Sequence, residues 1–96
     1  AIFEAILPKS LQEIGGVAFQ NCANLSVVQL LAPITISDYT FAYCYSLSTV
    51  SLPEGLEGIG CRAFYDCKSL KHITIPSSAI KIEKNAFENC PVSEKE

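Results

Sequence analysis

One four-residue pattern, Phe-x-x-Cys, occurs four times in the sequence. It reads FQNC, FAYC, FYDC and FENC at residues 19–22, 41–44, 64–67 and 87–90. The four phenylalanines are separated by 22, 23 and 23 residues. Self-similarity at a period of about 20–50 residues indicates a stack of equivalent units, because one such unit cannot bury its apolar face alone. This repeat therefore constrains the fold more than any other feature of the chain.

Apolar residues at other positions recur with the same period. The N-terminal segment contributes Ile2, Ala5 and Leu7 to these series. The remaining columns are Leu25, Leu47, Leu70; Val28, Val50, Ile73; Leu30, Leu52, Ile75; Leu11, Ile34, Leu56, Ala79; and Ile14, Ile36, Ile59, Ile82. A continuous core shared between neighbouring units follows from these columns.

Each unit combines a strand with a compact turn. Alternating apolar and polar residues in LSTVSL (47–52) and LKHITI (70–75) predict half-buried strands, which end where a proline follows. The stretch IGxxAFxxC is too short for a stable helix and predicts a helical or 3₁₀ turn. The second unit is one residue short and has Leu31 where proline is expected, which predicts a local irregularity. One domain over 1–96 results, with units at about 2–24, 25–46, 47–69 and 70–92 and a polar tail at 93–96.

Composition argues against several partner classes. The formal net charge is −3 and no Lys/Arg cluster occurs, so we expect no nucleic acid partner. No apolar run is long enough to span a bilayer, so we expect no membrane insertion. The start, AIFEAILPKS, lacks the basic and apolar regions of a signal peptide. With no initiating Met, we expect a mature fragment or an excised part of a longer array.

The repeat also carries a family resemblance. LKHITIPSSA (70–79), followed by IEKNAFENC (82–90), resembles the BspA-like class of leucine-rich repeat, with its pattern LxxIxIPxSVxxIGxxAFxxC. The resemblance implies a right-handed leucine-rich repeat solenoid with short parallel β-strands on the concave face and short strands and turns on the convex side. It also implies an extracellular or cell-surface adhesion module that binds a host or other extracellular protein.

The repeated cysteines have two competing interpretations, chemistry or packing. Zinc sites use closely spaced pairs such as CxxC, whereas these cysteines are 22 or 23 residues apart. Stacked cysteines would place their Cβ atoms about 4.8 Å apart, and a disulfide needs about 3.8 Å. We therefore predict small buried side chains with a thiol available to the adjacent turn, and no metal or cofactor. Cys61 lies outside this column, beside Arg62, and is expected to face solvent.

No catalytic motif is present, and the chain is predicted not to be an enzyme. His72 is the only histidine and has no acid near it in its column except Glu4. A general base needs such support. We interpret His72 as a surface residue of a strand.

Two surfaces remain as candidate protein-binding sites. One is the outward face of the strands, with columns Glu4, Val27, Thr49, His72 and Ile6, Gln29, Ser51, Thr74. The other is a group of tyrosines in the turns of units 2 and 3: Tyr39, Tyr43, Tyr45 and Tyr65. Tyrosine is enriched at interfaces, but these rings could also cover the edge of the core. Two functions stay open, a protein-binding module and a structural spacer, with self-association through uncapped ends in either case.

Overall fold

A computed structural model of the chain describes residues 3–78 and 81–91, with the side chain of Phe3 left out. Two parallel sheets run along a stack of coils. The larger sheet has the order β1-β2-β4-β6 and the smaller has the order β3-β5-β7. The strands are β1 Phe3–Leu7, β2 Leu25–Leu30, β3 Thr35–Ile36, β4 Thr49–Ser51, β5 Gly58–Ile59, β6 His72–Thr74 and β7 Lys81–Ile82. This arrangement confirms the predicted solenoid of short parallel strands.

The register of the larger sheet confirms the columns read from the sequence. Ala5 pairs with Val28, Val28 with Val50, and Val50 with Ile73. A one-residue irregularity lies between Phe3 and Glu4 where β1 meets β2. The predicted members Ile2, Ala79 and the tail from 92 onward lie outside the described residues.

One predicted column is wrong in the second unit. Thr35 pairs with Gly58, so Ile34 is level with Glu57 and not with Leu56. The reason is the missing residue, which falls between β2 and β3 and draws the chain across this corner. Ala32 is the fully buried residue there, while Ile34 is only half-buried.

The phenylalanines form a continuous stack through all four units. Successive ring centroids are 5.3 Å apart at each step, with ring planes within 9° of parallel. Phe41 and Phe64, inside the stack, are 1% and 0% exposed. Burying a phenylalanine removes a large apolar area from water, and stacked rings add to that gain.

The AFxxC segments form consecutive turns joined by a backbone ladder, which differs from the predicted helical or 3₁₀ turns. Alternate N–H groups bond within the unit, as Ala18 does to the Gly15 carbonyl, and the others donate to the next unit. Phe19 N–H donates to the Thr40 carbonyl at 2.9 Å, and Phe41 N–H donates to the Ala63 carbonyl at 2.8 Å. Each unit also places two residues at positive φ, which interrupts any helix: Val17, Asn21, Tyr39, Tyr43, Arg62, Asp66, Asn85 and Asn89.

Thr40 occupies the position that alanine holds in the other three units. It is fully buried, and its hydroxyl donates to the Ser37 carbonyl at 2.8 Å. A buried hydroxyl costs little when it is hydrogen-bonded. The column therefore tolerates threonine because the turn itself supplies the acceptor.

The repeat cysteines bond across units through sulfur. Cys44, Cys67 and Cys90 each donate a thiol hydrogen bond to the carbonyl of the phenylalanine one unit earlier, at 3.2, 3.1 and 2.8 Å. Burial raises the pKa of the Cys44 thiol to about 11. The neighbouring Cys90 thiol, together with burial, raises the pKa of Cys67. Both effects keep the Cys44 and Cys67 thiols protonated, as their hydrogen bonds require, whereas the hydrogen bond with the Cys67 side chain lowers the pKa of Cys90.

Replacing Phe64 with alanine should destabilise the fold by roughly 3–5 kcal/mol, as other large-to-small core changes do. The ring is fully buried and stacked on both sides. Lys68→Gln is the matched control, because the Lys68 side chain is 62% exposed, and it should change stability by less than about 0.5 kcal/mol. Urea unfolding followed by circular dichroism compares the two, and equal midpoints would show that the assigned register is wrong.

Alkylation should separate the cysteines by burial. Cys44 and Cys67 are fully buried with raised thiol pKa values, so iodoacetamide at neutral pH should modify them only after unfolding. Cys61 is half-buried and outside the stacked column, and it should react first. Mass spectrometry with and without urea measures the order. A Cys44–Cys67 disulfide in the purified protein would contradict the thiol ladder.

Candidate protein-binding surfaces

The first candidate surface is the outward face of the larger sheet. The strand register places Val27, Thr49 and His72 level with one another, and Gln29, Ser51 and Thr74 level in the second column, as predicted. Val27 and Thr49 are half-buried, and the other four side chains are exposed. The first unit continues both columns with Glu4 and Ile6, of which Ile6 is 56% exposed. The face is an accessible ladder of small, mostly uncharged side chains.

The second candidate surface brings three of the four predicted tyrosines into ring contact. The Tyr43 ring lies 5.3 Å from that of Tyr65 in an edge-to-face arrangement. The Tyr45 ring centroid lies 6.4 Å from that of Tyr43, and Tyr45 is 46% exposed. Edge-to-face pairs stabilise each other through the ring quadrupole. Tyr43 therefore lies at the centre of an aromatic group that crosses two units.

Arg62, which sequence reasoning did not assign to this group, joins Tyr39 to it. Its Nη1 donates to the Tyr39 hydroxyl at 3.3 Å, and its guanidinium carbon lies 5.6 Å from the centre of the Tyr65 ring. Its Nε also donates to Glu88 Oε1 at 2.9 Å. No sequence signal marks this role beyond the position of Arg62 in the same column as Tyr39. We call Tyr39, Tyr43, Tyr45, Tyr65 and Arg62 the tyrosine patch.

Neighbouring groups raise the pKa values of two members of the tyrosine patch. The hydrogen bond to Glu88, followed by the one to Tyr39, raises the pKa of Arg62. Partial desolvation, with the nearby phenol of Tyr65 and the carboxylate of Asp66, raises the pKa of Tyr43. Arg62 is therefore cationic and Tyr43 neutral at physiological pH. Asp66 Oδ1 is buried, accepts no hydrogen bond from the described residues and lies 3.7 Å from Lys68 Nζ.

The smaller sheet borders an open groove with a volume of about 610 Å³. Its walls include Asp38, Glu57, Lys81 and Glu83. Asp38 Oδ1 accepts the Cys61 N–H at 2.8 Å and would lie 2.6 Å from a Cβ atom at Gly60, so this approach requires glycine. Cys61 itself is half-buried, so the expected solvent-facing position is only partly correct.

His, Cys, Asp and Glu side chains are dispersed over the described residues. No three His, Cys, Asp or Glu side chains among them gather as metal ligands would. His72 is exposed on β6 and the register places it level with Thr49. Within the described part of the chain, no helix has the length and hydropathy that crossing a bilayer requires.

Comparisons with solved structures agree with the coil geometry. A leucine-rich repeat protein of T. pallidum superposes with a TM-score of 0.69 at 24% identity, over 91% of this chain and 54% of that one. A leucine rich cell surface protein from Faecalibacterium prausnitzii gives 0.68 at 27% identity, over 94% and 32%. A leucine-rich repeat protein from Bacteroides ovatus gives 0.66 at 32% identity, over 91% and 28%. The chain thus spans between 28% and 54% of the length of these relatives.

No curated protein sequence matches the chain significantly. The sequence model of one family, described as a BspA type leucine-rich repeat region of six copies, matches residues 2–94. Its count differs from the four units read from the sequence, while the larger sheet contains four described strands. Since the match covers nearly every residue, the chain belongs to the BspA-type leucine-rich repeat family.

Proposed function

We propose that the chain is a non-catalytic protein-binding module and that the tyrosine patch is its contact surface. The observation that carries this proposal is the backbone conformation of Tyr43, at φ 63°. A bulky side chain at positive φ is unfavourable by roughly 1–2 kcal/mol, whereas Asn and Asp tolerate this region. Strained positions of this kind cluster at functional sites.

The other units show what the turn itself prefers. At the positions level with Tyr43 they have Asn21, Asp66 and Asn89, all at positive φ. Aspartate and asparagine thus meet the needs of the backbone, and tyrosine is the exception. A structural spacer needs only uniform columns, so it would gain nothing from a strained tyrosine at this position. Tyr43 therefore favours binding over the spacer function.

The chemistry of the tyrosine patch suits a protein partner. Tyrosine and arginine, together with tryptophan, are the residue types enriched at the energetic centres of interfaces. Tyr45 has an accessible ring. Arg62 is already held by hydrogen bonds to Tyr39 and Glu88, so binding a partner would cost little further side-chain entropy at this residue. The sheet face, with its small neutral side chains, offers fewer anchors of this kind.

A solved relative supports a location for the chain. One solved relative is a leucine rich cell surface protein. We infer that this chain likewise acts outside the cell or on its surface, in adhesion to or recognition of an extracellular or host protein. The chain covers 32% of that relative.

The loss of a half-buried aromatic ring normally destabilises a fold, but Tyr43→Asn should not. Relief of about 1–2 kcal/mol of backbone strain should offset the lost contacts with Tyr65 and Tyr45. We expect a urea midpoint equal to or above that of the wild type. Tyr65→Asn is the control, since Tyr65 is not at positive φ, and its midpoint should fall. A larger fall for Tyr43→Asn than for Tyr65→Asn would contradict the strain assignment.

Selection from a displayed peptide library tests the binding function. Peptides enriched on the wild-type chain should bind Tyr45→Ser about tenfold more weakly, as expected when an interface tyrosine is removed. They should bind Ser51→Lys, an exposed change on the sheet face, unchanged. Loss on Ser51→Lys alone would assign binding to the sheet face. Enrichment no higher than on an unrelated protein would support the spacer.

A further inference from the structure

The groove on the smaller sheet is built around two glycines. Gly58 and Gly60 both line it, one on each side of Ile59, whose side chain is buried in the core. Glycine contributes only backbone, whereas Thr35 and Lys81, which pair with Gly58 from the neighbouring strands, carry side chains. The groove therefore lies over the third unit, between the side chains of the second and fourth units.

Close contacts keep both glycine positions free of side chains. A Cβ atom at Gly58 would lie 2.7 Å from the Lys81 carbonyl oxygen, and one at Gly60 would lie 2.6 Å from Asp38 Oδ1. Asp38 is in turn held by the hydrogen bond that it accepts from the Cys61 N–H. The shape of the groove at the third unit is thus set by the backbone, with no side chain at these two positions that could rotate into it.

A second, smaller groove continues the first toward the first unit. Its volume is about 330 Å³, and it shares Thr35, Ser37 and Glu57 with the larger groove while adding Gln12 and Glu13. Neighbouring strands are about 4.8 Å apart, so a path across four units is about 14 Å long, the length of about four residues of extended chain. We call the two grooves together the small-sheet groove.

Acidic side chains predominate along the small-sheet groove. Its described lining includes four carboxylates and one ammonium group: Glu13, Asp38, Glu57, Glu83 and Lys81. Lys81 Nζ lies 3.5 Å from Glu83 Oε2, so its charge is already balanced within the fourth unit. The net formal charge of the lining is −3, equal to that of the whole 96-residue chain, so the other charges of the chain cancel one another.

The three other carboxylates form no ion pair within the described residues. Asp38 accepts from the Cys61 N–H, and Glu57 accepts from the Thr35 hydroxyl at 3.4 Å, and both donors are uncharged. A cleft lined by charge of one sign, with low-dielectric walls, concentrates its field and attracts the opposite charge. The small-sheet groove is therefore complementary to a cationic ligand.

We propose that the small-sheet groove binds an extended segment of a partner protein that carries lysine or arginine at alternate positions. Alternate side chains of an extended segment point to the same side, so two basic side chains can face the carboxylates at once. This site is additional to the tyrosine patch, with which it shares no residue. Its carboxylates are exposed or half-buried, so the attraction weakens as salt is added.

Three short peptides test the proposal: Ser-Arg-Ser-Arg-Ser-Arg, and the same sequence with glutamate or with glutamine in place of each arginine. Fluorescence polarisation at low ionic strength should give a Kd below about 1 mM for the basic peptide and no saturable binding of the other two. An ionic strength of about 0.5 M should abolish the binding, because the charges are then screened within a few ångströms. In proton–nitrogen NMR spectra, the basic peptide should shift the Gly58 and Gly60 amides and leave those of Gln29 and Ser51, on the larger sheet, unmoved.

Conservative variants test which charges attract the peptide. Glu57→Gln, in the wall that both grooves share, should weaken binding of the basic peptide roughly two- to fivefold, as loss of one exposed ion pair does. Lys81→Gln removes the competing ammonium group and should strengthen binding about twofold. Glu54→Gln is the matched control, because Glu54 is exposed and lines neither groove, and Tyr45→Ser is the control for the tyrosine patch. Both controls should bind as the wild type does, and circular dichroism should show all four variants folded.

Several results would overturn the proposal. Equal binding of the three peptides would show that charge does not select the ligand. An equal loss in Glu54→Gln and Glu57→Gln would show a diffuse attraction to acidic surface, and a loss in Tyr45→Ser would assign the peptide to the tyrosine patch. No binding below about 1 mM, or binding of free arginine amide as tight as that of the peptide, would exclude an extended segment as the ligand.

Discussion

Hydrogen bonding between successive units is the interaction on which the rest of the structure depends. The strands are only two to six residues long, so no unit can hold its shape without a neighbour. The ladder of the AFxxC turns fixes the distance between units, and the phenylalanine rings then stack at the same interval at every step. Once that interval is set, equivalent apolar residues of neighbouring units pack against one another and are buried. A core of this kind is built by repetition and not by a single central cluster.

The cysteine column shows how a side chain can take part in the same ladder. A small residue is required at this tight position, and alanine or serine would also be small. Cysteine adds a weak donor that reaches the phenylalanine carbonyl of the previous unit. The Phe19 and Phe64 carbonyls also accept the cysteine N–H of their own turns, and a carbonyl oxygen has two lone pairs to offer. The thiol therefore contributes both to packing and to hydrogen bonding of the phenylalanine carbonyl.

Much of the fold was predictable because the same residue pattern occurs in four successive units. The columns through Val28 and Phe41, and the outward positions of Thr49 and His72, follow from spacing alone. The turn conformation did not, because positive φ at bulky residues such as Tyr39 and Arg62 contradicts their local preferences. Ile34 was misplaced because spacing shows that a residue is missing but not where the chain shortens. Arg62 was missed because its role depends on contacts with Tyr39 and Glu88 across units, which only the stacked register creates.

The ladder also bears on how such a chain reaches its folded state. Its bonds join residues about one repeat apart, such as Phe19 with Thr40 and Phe41 with Ala63, whatever the total number of units. As units are added, the mean sequence separation of contacts stays constant while the chain lengthens, so the relative contact order falls. Folding rates of small domains rise as relative contact order falls. Lengthening an array of these units would therefore add surface without demanding more distant contacts, and each new unit could fold onto a neighbour that is already formed.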